Sequence, residues 1–228
     1  MEMQRLNNYM EKNEQLYLML RQCPYEILRQ MEVREFKKNS IIYRQGEIQN
    51  VFSILAEGIA DIYVIGDNGK TYMQSTYSAG DIIGEFEIFS QTPFMSNVKS
   101  ITDVSLITLN REYFLKWLQS DQNFNQQFIH KIVGTAHRII KKDEDSKLYS
   151  LHQRVCKYLL KRLHPSSTDG VAIHIDKQQL SQQLAVTQRS INRILLNLKD
   201  KGIIKMNNSS VIIRNIADLR HEEMNGKS

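Results

Sequence analysis

Asp176-Lys-Gln-Gln-Leu-Ser-Gln-Gln-Leu-Ala-Val-Thr-Gln-Arg-Ser-Ile-Asn-Arg193 is the stretch on which the reading of this chain turns. It reads as two short helices joined by a tight turn. Asp176 is placed to cap the first helix, with Gln179 three residues on to complete a box-like pair. Leu180 and Leu184 lie one helical turn apart and supply its inner stripe. Thr187 offers a second N-cap, and Ile191, Leu195 and Leu198 form the inner face of the helix it starts. Gln188, Arg189, Asn192 and Arg193 are left outside together. Amide and guanidinium groups presented as one row are what base readout in a DNA major groove requires. Any amphipathic helix pair leaves polar residues outside, so the pair alone is also compatible with a purely structural role.

The residues that follow favour DNA. Lys201-Gly202 is a helix stop with glycine in the C′ position. Ile203 to Met206 and Val211 to Arg214 are short apolar strands, separated by the turn-prone Asn207-Asn-Ser-Ser210. A helix-turn-helix running straight into a small hairpin is the pattern of a winged helix. Charge agrees with it. Residues 148–228 carry 13 Lys and Arg against 6 Asp and Glu, whereas residues 1–147 carry 17 against 19. That asymmetry gives a polyanion-binding role to the C-terminal third.

Upstream the pattern is different. Six of the ten glycines (Gly46, Gly58, Gly66, Gly69, Gly80 and Gly84) fall in one short region. Between and beyond them lie β-type runs at Ser40–Tyr43, Val51–Leu55, Ile59–Ile65, Tyr72–Tyr77, Ser96–Ile101 and Ser105–Leu109. Many short strands with glycine corners predict a small antiparallel barrel or jelly roll. The first ~35 residues read as helical, with Leu16, Met19, Leu20 and Cys23 at helical spacing. After Asn110 the period returns to helical, with a short helix from Glu112 to Leu118 and a long one from Asp121 to about Asp145. In the long helix Ile129, Ile132, Ala136 and Ile139 are spaced as a coiled-coil seam, while Phe124, Phe128 and Val133 suit packing onto the barrel. The polar run Lys141-Lys-Asp-Glu-Asp-Ser146 reads as a hinge. The expected organisation is a sensor barrel over residues 1–120, a dimerisation helix and hinge over 121–147, and a winged helix-turn-helix over 148–228. The fold class is α+β.

Several classes are set aside on the same grounds. The 228 residues contain no apolar run approaching the ~18 that a membrane span needs, and the N-terminus lacks the apolar core of a signal peptide. A cytoplasmic protein is the expectation. Cys23 and Cys156 are too few and too far apart to hold a metal between them. A redox switch at Cys23, next to Pro24, is the minor reading. No nucleophile elbow, P-loop, metal-ligand cluster or paired-carboxylate motif points to an enzyme.

Glycine-rich barrel, long helix and winged helix-turn-helix, in that order over nearly the whole chain, resemble the Crp/Fnr family of bacterial transcription regulators. Tyr43-Arg-Gln-Gly-Glu47, Leu55-Ala-Glu-Gly58 and Ala79-Gly-Asp-Ile-Ile-Gly-Glu-Phe-Glu-Ile-Phe89 resemble the family's barrel signature, with Gly84-Glu85 opening its phosphate-binding cassette. Thr187-Gln-Arg-Ser-Ile-Asn-Arg193 is similar to its recognition-helix motif, usually Ser-Arg-Glu-Thr-Val-x-Arg. The resemblance implies that Thr187 touches phosphate while Gln188, Arg189 and Arg193 meet base edges. It also implies a homodimer on a palindromic double-stranded operator, a contact with RNA polymerase, and a small effector in a cyclic-nucleotide-binding-like barrel.

The departures are as informative. Members that bind cyclic AMP carry an Arg-Ser pair in the cassette, and the Arg neutralises the cyclic phosphate; here the pair is Met95-Ser96. Methionine brings neither charge nor donor, so cyclic AMP is not the expected effector. Two isolated cysteines cannot hold the iron–sulfur cluster of another branch. The six histidines all lie at or beyond residue 130, so none supplies a haem ligand from the barrel. Gly84, Glu85, Phe86, Ser96 and Asn97 are then the candidate contacts of some other small molecule, with Glu85, Ser96 and Asn97 at the pocket mouth. A barrel that has lost ligand binding and serves as packing core is the competing expectation. In the recognition helix, Gln188-Arg189 replaces the usual Arg-Glu, so the operator should differ from that of the cyclic AMP receptor. The rival function is a small-molecule sensor or protein-binding adaptor with a merely structural helix-turn-helix.

Overall fold

The computed structural model describes residues 2–207 and 210–225, and the chain divides after His137 into two compact units. The first unit opens with helices α1 (Glu2–Lys12), α2 (Glu14–Leu20) and α3 (Tyr25–Leu28). Strands β1 (Glu32–Phe36), β2 (Ile41–Tyr43), β3 (Val51–Glu57), β4 (Ile59–Ile65), β5 (Thr71–Ser78) and β6 (Ile82–Ile83) follow. After a short helix α4 (Glu87–Ser90) come β7 (Asn97–Ser100), β8 (Val104–Asn110), α5 (Arg111–Ser120) and the long α6 (Gln122–Leu148), whose residues from Arg138 on belong to the second unit. The strands form two antiparallel four-stranded sheets, ordered β1-β8-β3-β6 and β2-β7-β4-β5.

Side chains in a strand alternate between faces, and in β3 and β8 both faces are buried. Leu55, Val104 and Leu106 point between the two sheets and meet Ala60, Ile62, Tyr77 and Val98 of the second sheet. Phe52, Ile54, Ile107 and Leu109 point the other way, onto a helical layer. There Phe52 stacks on Phe114 with ring centroids 4.4 Å apart, and Trp117 stacks on Phe124. Asp121 joins the two helices of that layer. It accepts the indole N–H of Trp117 at 2.9 Å and the Phe124 amide at 3.0 Å. The residue expected to begin the long helix is thus its cap. At the β3–β4 corner Gly58 has φ +94°, and a Cβ there would lie 2.2 Å from the carbonyl oxygen of Asp103; only glycine fits.

Two expectations change. Helix does not run to residue ~35: β1 pairs with β8 instead, from Glu32 opposite Thr108 to Phe36 opposite Val104. Its three charged residues, suited to an edge strand, hid the strand pattern. The run Lys141 to Ser146, read as the hinge, lies within continuous helix that runs on to Leu148, past the expected end near Asp145. Lys141 pairs with Glu144 and Lys147 with Asp143, one turn away in each case, which supports helix. The chain leaves the helix at Tyr149 and restarts at Ser150, which forms a reciprocal capping box with Gln153.

The second unit comprises α7 (Leu151–Leu160), β9 (Val171–His174), α8 (Lys177–Gln183), α9 (Gln188–Asp200), β10 (Ile204–Met206), β11 (Ser210–Ile213) and α10 (Ile216–Asn225). Its antiparallel sheet has the order β10-β11-β9. Of the tetrad expected to turn between β10 and β11, Asn208 and Ser209 lie outside the described residues; the Asn207 amide donates to the Ser210 carbonyl at 2.9 Å. The core gathers Val155, Leu159, Leu180, Ile191, Leu195, Leu198, Val211 and Ile213. Helix α10, which the sequence reading did not anticipate, adds Leu219 and an ionic tie. Glu222 bonds His152 of α7 at 2.8 Å and Lys201, just past α9, at 2.6 Å.

The hydrogen bond from the Lys201 ammonium, helped by that from His152, holds the Glu222 carboxyl below the usual carboxylate range despite its desolvation. A lowered folded-state value means stability present above the ordinary carboxylate pKa and lost as pH falls through the lowered one. The wild-type chain should therefore be more stable to urea than Glu222→Gln at neutral pH. The gap should close as the medium is acidified below about pH 4, near the ordinary carboxylate value. A gap that stayed constant would exclude the carboxylate as its source.

Candidate nucleic-acid interface

Helix α8 starts where Asp176, in extended geometry, accepts the Gln179 amide at 2.9 Å. It ends in a left-handed turn at Ala185, φ +55°. The Val186 amide returns to the Ser181 carbonyl and the Ala185 amide to that of Gln182, the paired bonds of a Schellman stop. Position 185 is where glycine is normally found. The turn therefore lacks its usual sequence signal.

Thr187 caps α9, accepting the Ser190 amide at 3.2 Å. Ile191, Leu195 and Leu198 are buried as the spacing required, and Ile194 joins them. Thr187, Gln188, Arg189 and Arg193 are exposed and Asn192 is half-buried. Among the described residues, Gln188, Arg189, Asn192 and Arg193 carry no side-chain hydrogen bond or ion pair. The row of readers named from sequence is thus brought together, with its polar groups uncommitted. Thr187 differs, because its hydroxyl already serves the cap.

The cassette residues are placed differently from expectation. Glu85 and Asn97 are buried rather than at a pocket mouth, and Phe86 is exposed. Gly84, φ +86°, lies against the ring of Phe94. Phe94 stacks on Tyr43 with centroids 4.7 Å apart inside the barrel. Met95 is 56% exposed, and its amide donates to the carboxylate of Glu87 at 3.1 Å. Ser96 donates to Gln74 at 2.5 Å, and Asn97 accepts the Gln45 amide at 3.2 Å. A separate groove of about 880 Å³, lined by Lys37, Glu57, Gly58 and Asp103 among others, shares no residue with the cassette.

Along α6 the apolar stripe is shifted from the seam read in sequence. Ile132 packs against the barrel-side core with Phe124 and Phe128, whereas Val133, assigned to the barrel, points outward. Ile129, Val133 and Ile140 are 54%, 48% and 56% exposed, and Ala136 lies between them in sequence. Their 4-3-4 spacing keeps one side of the helix. Ile139 is also exposed but about a quarter turn away. Both cysteines are buried, which pushes their thiols up, that of Cys156 to about 12. A thiol held protonated is a poor redox centre, so the structure argues against a switch at Cys23. No group of three or more candidate metal ligands occurs among the described residues, and no helix among them is long and apolar enough to cross a membrane.

The chain matches the cyclic nucleotide-binding domain family over residues 33–121 and the Crp-like helix-turn-helix domain family over residues 153–222. It is 25% identical over 197 residues to the anaerobic regulatory protein of Bacillus subtilis, a match covering 83% of this chain and 82% of that protein. A CRP-like cAMP-activated global transcriptional regulator of Mycobacterium tuberculosis is 20% identical over 192 residues, covering 82% and 86% of the two chains. Among solved structures, the c-di-GMP-responsive global regulator of Xanthomonas campestris superposes with a TM-score of 0.71 at 13% identity, over 82% of this chain and 95% of that one. A Crp/Fnr-family regulator from Eubacterium rectale gives 0.67 at 15% identity, covering 93% and 94%. The architecture and both domain matches define a DNA-binding transcription regulator rather than an enzyme, and the chain belongs to the Crp/Fnr family.

The left-handed Ala185 supplies a test of the turn. A Cβ at positive φ is strained and glycine is not, so Ala185→Gly should raise stability by about 0.5–1 kcal/mol, read from urea unfolding. Destabilisation would contradict the left-handed geometry.

Proposed function

We propose that the chain acts as a homodimeric, sequence-specific regulator that reads a palindromic double-stranded operator with Gln188, Arg189, Asn192 and Arg193. The observation that carries this reading is the uncommitted polar row on the outward face of α9, over a helix whose other face is fully packed. Thr187 and the first amides of α9 would meet the phosphate backbone. Gln suits adenine and Arg suits guanine, so the operator should be this chain's own. The dimer would pair the stripe Ile129, Val133, Ala136 and Ile140 across two copies of α6, with Val133 and Ile140 in place of Ile132 and Ile139 in the seam expected from spacing. Two recognition helices would then sit about one DNA turn, ~34 Å, apart. The domain roles follow the same division: barrel over 1–120, dimerisation helix over 121–147, DNA reader over 148–228. The protein would work in the cytoplasm alongside RNA polymerase. Control by a small effector other than cyclic AMP is the finer part of this reading, and it requires that Phe94 give up its place in the barrel.

Selection of bound duplexes from a random pool tests the central claim. On the selected site Arg193→Ala should cost ~1–3 kcal/mol and relax preference at one base step. An equal loss on every sequence would refute base reading by Arg193. The adaptor alternative is distinguished by salt: affinity for mixed DNA should fall steeply as salt rises if phosphates are contacted. For the dimer, Val133→Glu sets like charges face to face in an apolar seam. It should shift the chain to monomer in sedimentation, and a variant as dimeric as the wild type would place the interface elsewhere.

A further inference from the structure

The barrel of a cyclic-nucleotide-binding domain offers a ligand two things, space for a ring and donors for an anion. Here both are taken by the chain itself. The Phe94 ring is buried among Tyr43, Leu55, Ala60, Ile83 and Val98. Its position is fixed from the backbone, because its amide donates to the Glu47 carbonyl at 2.9 Å and its carbonyl accepts the Gly46 amide at 2.8 Å. The Tyr43 ring beneath it is held in turn by a buried 2.6 Å hydrogen bond between its hydroxyl and that of Ser53. On its other side the Phe94 ring lies against Gly84, the residue that opens the cassette; a Cβ there would already be 3.4 Å from Cζ of the ring. The bare backbone of that glycine receives an aromatic ring of the protein itself.

The anion's place is filled as well. Glu87 is only 7% exposed and accepts the amide of Met95, the position at which cyclic AMP binders are expected to carry their Arg. A phosphate brought there would meet a carboxylate of the same sign in a region of low dielectric and no compensating cation from Met95. Ser96 is bonded to Gln74. The two hydrogen bonds between Asn97 and Gln45 are reciprocal, and Gln45 Oε1 also accepts the Ile65 amide. Polar groups already paired within the chain gain little from a ligand that must first break those bonds.

We propose that this barrel carries its own occupant: the Phe94 ring and the Glu87 carboxylate hold the space and the amide that a cyclic nucleotide would need, so the chain binds DNA with no nucleotide added. This rests on the reading of the chain as a DNA-binding regulator and removes cyclic nucleotides from the effectors that could control it. The site that removal of Phe94 uncovers is apolar and uncharged, suited to a flat hydrocarbon ring and not to a cyclic phosphate.

The test uses the full-length chain and thermal unfolding, with benzene, cyclic AMP and cyclic GMP as probes. Wild type should unfold at the same temperature with or without each nucleotide, and its affinity for the selected duplex should change less than twofold on adding either. Phe94→Ala should unfold at a lower temperature and recover part of the loss in saturating benzene, to which the wild type stays indifferent. Phe94→Leu, with less space opened, should fall between the two. Stabilisation of the wild type by either nucleotide, or a tenfold gain in DNA affinity, would overturn the proposal; so would a folded Phe94→Ala chain that ignores benzene. Where that variant does not fold, the wild-type arms decide alone. Failure of the DNA-binding reading itself would appear separately, as no duplex bound in any arm while the thermal results stand.

Discussion

The antiparallel pairing of β3 with β8 is the constraint on which the first unit rests. Each strand is buried on both faces, so one set of side chains lines the barrel and the alternate set seats the helical layer. A one-residue slip would exchange the two sets and leave both cores mismatched. The helices add their own lock through Asp121, whose two oxygens satisfy an indole and the first turn of α6 at once. Because α6 is anchored there on one side, only its other side is available for the apolar stripe from Ile129 to Ile140. That geometric division, and not the apolar content of the helix, separates residues that hold the barrel from residues free to meet a partner.

The winged unit solves a related problem with a single helix. The inner face of α9 is packed with four aliphatic side chains, and its outer face keeps amide and guanidinium groups unpaired. Behind it the unit is tied internally, Glu222 of α10 pairing with Lys201 just past α9 and with His152 of α7. Groups left uncommitted on a packed helix need break no internal hydrogen bond to meet a ligand. The cassette of the barrel shows the opposite economy, with Met95, Ser96, Asn97 and Gly84 all occupied by neighbours in the same chain. One unit presents its polar groups outward and the other has closed over its own.

Most of the architecture was legible in residue spacing. The caps Asp176 and Thr187 and the outward polar row on α9 are local properties of a short segment, and the structure leaves them where the sequence put them. Strand β1 was missed because Glu32, Arg34 and Glu35 leave only Val33 and Phe36 to pattern, and such an edge is recognised by its partner β8 alone. The long helix runs past its expected end near Asp145 because charges read as marking a hinge are, at one-turn spacing, helix-supporting pairs. The turn at Ala185 carries no glycine to announce it.

What the sequence determined by itself is therefore what depends on neighbours along the chain: helix caps, strand runs, the basic excess of the C-terminal third over the rest and the absence of an arginine beside Ser96. Tertiary structure decided which face each of these presents. Helical spacing allows both Ile132 and Val133 to point toward the barrel or away from it, and only the seating of Phe124 and Phe128 on β3 and β8 turns Ile132 in and Val133 out. In the same way the sequence shows that a cation is missing at Met95. Only the fold brings Phe94 over Gly84 and sets the Glu87 carboxylate on the Met95 amide, because the path of the chain around α4, and not residue spacing, decides which of these groups meet.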